Sequence, residues 1–259
     1  MDGLIIEQSA AGVHKKGAEI LRHVVRELVR ERSVRGETTA IALSGGSTPL
    51  GMYRLLAREP YRSELPWNDV HLFWVDERCV PPDHPASNYG AARRELLDRV
   101  AIPPSNVHPM AGELAPLAGA VRYGDEIGEF FHMAPPEIPT FDLVFLGVGN
   151  DGHTASLFPG QISLDERKKW VIAVKGGNPN VHRLTLTLLV LNQAQKLVFM
   201  VSGREKAEIV QRVLQGPREN LPAQLIRPSG ETPSWLLDRE AARLLNEKRR
   251  NGDEHDTFE

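Results

Sequence analysis

Asp151 and His153 stand two residues apart in the run FDLVFLGVGNDGHTASLFP, from Phe141 to Pro159. The apolar residues Leu143 to Leu146 read as a buried strand, and Gly147, Gly149 and Gly152 bend the chain beyond it. Open α/β sheets bind their ligands at the carboxyl ends of their strands. An acid and an imidazole displayed on a turn there suit general acid–base chemistry on a small molecule. The same glycines match the spacing of a dinucleotide fingerprint, which requires a long helix after the last glycine. Pro159 stands seven residues on, and Asp151 and His153 would crowd a pyrophosphate, so nicotinamide binding is not expected.

Three further constellations sit where strands give way to helices. Ser44-Gly45-Gly46-Ser47-Thr48-Pro49 precedes a helix expected to start at Pro49. A helix start offers unpaired N–H groups and partial positive charge. The turn is therefore either a phosphate cradle built on Gly45, Gly46, Ser47 and Thr48, or a tight turn in which Thr48 only caps the helix. The G-K-[ST] ending of a Walker loop is absent.

Asp76-Glu77-Arg78 leaves the end of an apolar strand, and three charges inside a core would be costly. They are expected to line a cleft or face solvent, with Arg78 gripping a phosphate through its planar fork or closing a local ion pair. Asn88, downstream, reads as a helix cap. In Ser202-Gly203-Arg204-Glu205-Lys206-Ala207, Lys206 falls on a first helical turn, either beside the cleft or on the open surface. Arg183, just ahead of an alternating stretch, is equally open. Loops at the carboxyl ends of parallel strands share one edge and converge on one crevice. Together these supply anion grips and one acid–base pair, which suits a phosphorylated small molecule.

The elements that must position these residues alternate. Strands are predicted at Leu4 to Glu7, Thr39 to Leu43, Val70 to Val75, Phe141 to Leu146, Trp170 to Val174, Arg183 to Leu188 and Lys196 to Val201. Helices are predicted at Ala10 to Arg32, Pro49 to Arg58, Asn88 to Val100, Pro116 to Met133 and Glu205 to Leu214, from apolar spacing and a proline at the helix start. Such alternation specifies an α/β fold, a Rossmann-like and mainly parallel sheet with helices on both faces. Residues 1–246 read as one domain. The tail 247–259, EKRRNGDEHDTFE, is charged and nearly free of apolar residues, the composition of a disordered end.

Composition narrows the partners. Thirty-one lysines and arginines against 34 acids give a net charge of −3, without the basic excess of a general nucleic-acid binder. The one cysteine, Cys79, excludes an internal disulfide and a multi-cysteine metal site. No stretch approaches the ~20 apolar residues that span a bilayer, and the amino terminus is too acidic for a signal peptide. A cytoplasmic protein is expected, with no nucleic-acid or membrane partner.

GGSTP, VDER with SNYG downstream, LGVGNDGHTASLFPG, RLTLT and SGREKA occur in the order found in 6-phosphogluconolactonases. The chain resembles that family from its first helix to WLLD at Asp238. The resemblance implies hydrolysis of 6-phospho-D-glucono-1,5-lactone in the oxidative pentose phosphate pathway, a Rossmann-like fold, and no metal or organic cofactor. It implies His153 as the general base, for which an imidazole's ordinary pKa of ~6.5 is suited. Asp151 or Asp76 would orient the ring. Gly45, Gly46, Ser47, Thr48, Arg78 and Lys206 map onto the phosphate grip, with Arg183 an addition. The related glucosamine-6-phosphate deaminases carry a glutamate where this chain has Phe158. Related sugar-phosphate sensors add a helix-turn-helix, for which no room is expected before the first helix.

Overall fold

The computed structural model describes residues 3–32, 38–228 and 231–246; the charged tail read at 247–259 lies outside them. The first half of the chain runs β1 (Leu4–Glu7), α1 (Ala10–Arg32), β2 (Thr39–Leu43), α2 (Ser47–Leu56), α3 (Tyr61–Glu64), β3 (Val70–Trp74), β4 (Asp76–Arg78), α4 (Asn88–Glu95), β5 (Val107–His108) and α5 (Pro116–Phe131). The second half adds β6 (Leu143–Leu146), β7 (Val171–Gly176), β8 (Val181–Leu186), α6 (Leu188–Leu191), β9 (Lys196–Val201), α7 (Ala207–Gln215), α8 (Pro222–Leu225) and β10 (Ser234–Asp238).

Seven strands form one wholly parallel sheet in the order β1-β10-β9-β6-β2-β3-β5. Every residue of β2 and β6 is buried. Continuous burial of this kind arises when both faces of a parallel sheet are covered. Chain order creates the switch point. From β2 the chain builds outward through β3 and β5 to one edge, whereas β6, on the other side of β2, leads to β9 and β10. Loops leaving the carboxyl ends of β2 and β6 therefore diverge and open a crevice between them.

A second sheet, β4-β8-β7, is antiparallel. The sequence places β7 and β8 in the strand–helix alternation, but only four residues separate them, too few for the crossover that a parallel pair requires. Asp76-Glu77-Arg78 is thus a strand and not an open loop, and Arg183 lies within β8 opposite Arg78. Val75 is the junction between sheets: its N–H donates to the Leu43 carbonyl (2.9 Å) and its carbonyl accepts from Leu186 (2.8 Å). α5 packs against the small sheet. The helix predicted from Asn88 to Val100 ends at Glu95, and a single 3-10 turn, Leu97–Arg99, follows it. No helix among the described residues is long and apolar enough to cross a membrane.

The core brings one polar tie to the crevice. The Tyr53 hydroxyl, fully buried in α2, donates to the Ser44 carbonyl (2.6 Å), and the Ser44 hydroxyl donates to the Phe145 carbonyl of β6 (2.7 Å). The loop after β2 is thereby fixed to the neighbouring strand. Replacing Tyr53 with Phe leaves a buried carbonyl short of a donor. The expected cost is about 1–3 kcal/mol, read as a lower urea midpoint with an unchanged denaturant slope.

Candidate active site

The turn after β6 is set by close packing. Gly149 donates its N–H to the His153 carbonyl (2.8 Å), closing the loop. A Cβ on Gly149 would lie 2.0 Å from His153 Nδ1 and 2.8 Å from Asp151 Oδ1, so only glycine leaves space for the pair. Nδ1 of His153 and Oδ1 of Asp151 are 2.5 Å apart, and the same oxygen accepts the His153 backbone N–H at 3.1 Å. Burial pushes the Asp151 carboxyl up, but the His153 backbone N–H and ring outweigh it and hold the group below the ordinary range. An ionised Asp151 makes Nδ1 the protonated nitrogen and leaves the lone pair on Nε2. As the sequence resemblance left open, two carboxylates were candidates for orienting this ring; Asp151 makes the contact.

His153 lines a cleft of about 230 Å³ together with Gly45, Gly46, Ser47, Thr48, Asp76, Arg78, Arg183 and Lys206. Every expected site residue except Asp151, which sits behind the ring, meets there. Gly46 precedes α2 with no side-chain cap, and Ser47 and Thr48 form the first turn, two residues earlier than the start read at Pro49. Thr48 is therefore no cap: its hydroxyl shares a hydrogen bond with Ser202 (2.9 Å) across the cleft.

Three cations meet one buried carboxylate. Lys206 donates to the Val148 carbonyl (2.9 Å) and Asn150 Oδ1 (2.8 Å), and burial pushes its ammonium below the usual lysine range. Arg183 is buried, donates from Nε to the Gly176 carbonyl (3.1 Å), and is lowered by burial first and by Arg78 second. Arg78 donates from Nη1 to the Ala86 carbonyl (2.9 Å) and Asn88 Oδ1 (2.7 Å). Asp76 accepts from the Ser156 hydroxyl (2.6 Å) and from Asn88 Nδ2 (3.2 Å).

Two residues carry more than the sequence indicated. Asn88, read as a helix cap, is not one: Ser87 caps α4, accepting from the Gly90 N–H (2.9 Å). Asn88 instead joins Arg78 to Asp76 and lies against Gly45, where a Cβ would come within 1.8 Å of its Oδ1. Glu77, expected to line the cleft or face solvent, is buried with a fourfold hydrogen-bonded carboxylate.

Phe158 packs against two of the cleft residues. Its ring centroid is 4.9 Å from that of His153, and the Arg183 guanidinium lies over the ring at 5.7 Å from its centroid. Cys79 is not activated: burial, then the Glu77 carboxylate, push its thiol up. Among the described residues no group of three or more histidines, cysteines and acids is placed to hold a metal ion.

Fold and site together define a doubly wound α/β protein with an Asp–His pair and a cluster of cations at its switch point. The chain belongs to the family of glucosamine-6-phosphate isomerases and 6-phosphogluconolactonases, whose model matches residues 9–235. It is similar to the 6-phosphogluconolactonase of Synechocystis sp., with 41% identity over 226 residues covering 86% of this chain and 90% of that protein. The human 6-phosphogluconolactonase is 42% identical over 213 residues, covering 80% of each chain. The structure of 6-phosphogluconolactonase from Trypanosoma cruzi superposes with a TM-score of 0.83 at 29% identity, covering 95% of this chain and 97% of that one.

The packing around Gly149 yields a direct test. In Gly149→Ala the new methyl displaces the His153 ring, so the Nδ1 proton held by Asp151 is expected to vanish from the downfield proton NMR spectrum. Retention of that signal at its wild-type position would contradict the geometry.

Proposed function

We propose that the protein is a 6-phosphogluconolactonase, hydrolysing 6-phospho-D-glucono-1,5-lactone to 6-phospho-D-gluconate, with His153 as the general base. The observation that carries this reading is the His153–Asp151 bond of 2.5 Å at the edge of a cleft lined by Arg78, Arg183 and Lys206. Asp151 holds Nδ1, so Nε2 takes a proton from water as the water oxygen attacks the lactone carbonyl carbon. The tetrahedral oxyanion then re-forms the carbonyl and expels the ring oxygen, and the imidazolium returns its proton to that oxygen. Asp151 stabilises the charged ring between the two transfers. The product acid ionises and releases one proton.

The cations and the first turn of α2 serve the phosphate. Arg78 and Arg183 offer planar forks, and the turn at Gly45, Gly46, Ser47 and Thr48 offers helix-start N–H groups. Lys206 adds a partly desolvated ammonium. Asp76, held by Ser156 and Asn88, is placed to accept sugar hydroxyls. Phe158 favours a lactonase over a deaminase, because an apolar ring packs on His153 where the deaminases carry a working glutamate. We read residues 1–246 as one unit in the cytoplasm, without metal, organic cofactor or nucleic-acid partner.

Acid release from freshly generated 6-phosphogluconolactone, followed against spontaneous hydrolysis, tests the reading. Wild-type protein is expected to accelerate release strongly, and His153→Ala to lower kcat by about 10²–10⁴. Acceleration surviving in the variant would move the base elsewhere. No acceleration by wild type would overturn the activity.

A further inference from the structure

Neighbouring residues on a strand point to opposite faces, so Arg78 faces the cleft while Glu77 turns away from it. Glu77 is only 2% exposed, and among the described residues no lysine or arginine side chain forms an ion pair with it. Its carboxylate is occupied by four donors. Oε1 accepts the N–H groups of Arg78 (2.7 Å) and Asn88 (2.8 Å), and Oε2 accepts the Ser87 hydroxyl (2.9 Å) and the Tyr89 N–H (2.8 Å). The carboxylate thus gathers the unpaired donors at the start of α4, where negative charge is favoured.

The segment so clamped is the one that holds Arg78. Both protein acceptors of Arg78 Nη1, the Ala86 carbonyl and Asn88 Oδ1, lie at or beside residues 87–89. Nε and Nη2 keep no protein partner among the described residues, so one edge of the fork is left for a bidentate oxyanion. Asn88 also donates to the Asp76 carbonyl (2.9 Å) and abuts Gly45. A shift of this segment would therefore move the anion grip at two places and leave the turn after β6 alone.

We propose that Glu77 is a positioning residue for the anion grip: it fixes residues 87–89, and through them the direction in which Arg78 presents its fork. The proposal rests on the phosphorylated-lactone reading above. A carboxylate is required because four donors converge on two oxygens. Glutamine offers one acceptor oxygen and turns an NH2 group toward two donors, so two of the four bonds are lost.

The test compares Glu77→Gln with wild type on the phosphorylated lactone, on unphosphorylated glucono-1,5-lactone, and in calorimetric binding of 6-phosphogluconate. The variant is expected to raise KM and the 6-phosphogluconate Kd about tenfold, with kcat within about threefold, as loss of uniform binding requires. Hydrolysis of the unphosphorylated lactone should be unchanged. In an Arg78→Ala background the same substitution should leave KM where it is, because the coupled pair is already broken. Ser87→Ala removes one of the four bonds and should raise KM in the same direction by less, which decides the matter if Glu77→Gln does not fold. A folded Glu77→Gln with wild-type KM and Kd, an equal loss on both lactones, or an additive effect on Arg78→Ala would overturn the proposal. Protein that binds 6-phosphogluconate but hydrolyses neither lactone would refute the activity, and the Kd comparison would still decide the role of Glu77.

Discussion

Two guanidinium groups face one another across a single rung of the small antiparallel sheet, Arg78 on β4 and Arg183 on β8. Like charges directly opposite on a ladder repel, and this repulsion shapes the surrounding structure. Arg183 is steadied by the Gly176 carbonyl and the face of Phe158, and Arg78 by two oxygens from the segment before α4. Asp76 and Glu77 oppose the lowering of Arg183 that burial and Arg78 cause. The pair is held apart and oriented by these neighbours, which commit Arg183 Nε and Arg78 Nη1.

The acid–base pair depends on a different part of the molecule. His153 and Asp151 sit on the turn after β6 in the parallel sheet, where crowding at Gly149 sets their contact. The cleft is thus a meeting of two separately built halves. The Asp–His pair belongs to the switch point of the large sheet, and two of the three clustered cations, Arg78 and Arg183, belong to the small one. Lys206, on the turn after β9, ties two loops of the large sheet by donating to Val148 and Asn150 within the loop that bears His153.

Much of this was legible in the residues. Long apolar runs and helical spacing gave the ends of α1, β2 and β9 to the residue, because each is long or almost wholly buried. Motifs at strand ends gave the cleft, because glycines and charges there have few other uses. The second sheet was not legible: β4 has three residues, all charged, and its strand character comes only from pairing with β8. Glu77 and Asn88 were misread for a related reason. A charge or an amide seen alone suggests solvent or a cap, and only the fold reveals four donors converging on one carboxylate. The early start of α2 was hidden by Pro49, which marks a first turn without fixing its first residue.

Val75 alone separates β3 from β4, and it hydrogen-bonds to both sheets at once. A joint one residue long leaves no loop between β3 and β4, so the small sheet leaves the large one at a fixed point of the backbone. The small sheet is therefore a branch of the large one with no intervening loop, and the backbone that ends β3 delivers Arg78 directly to the cleft edge that His153 also lines.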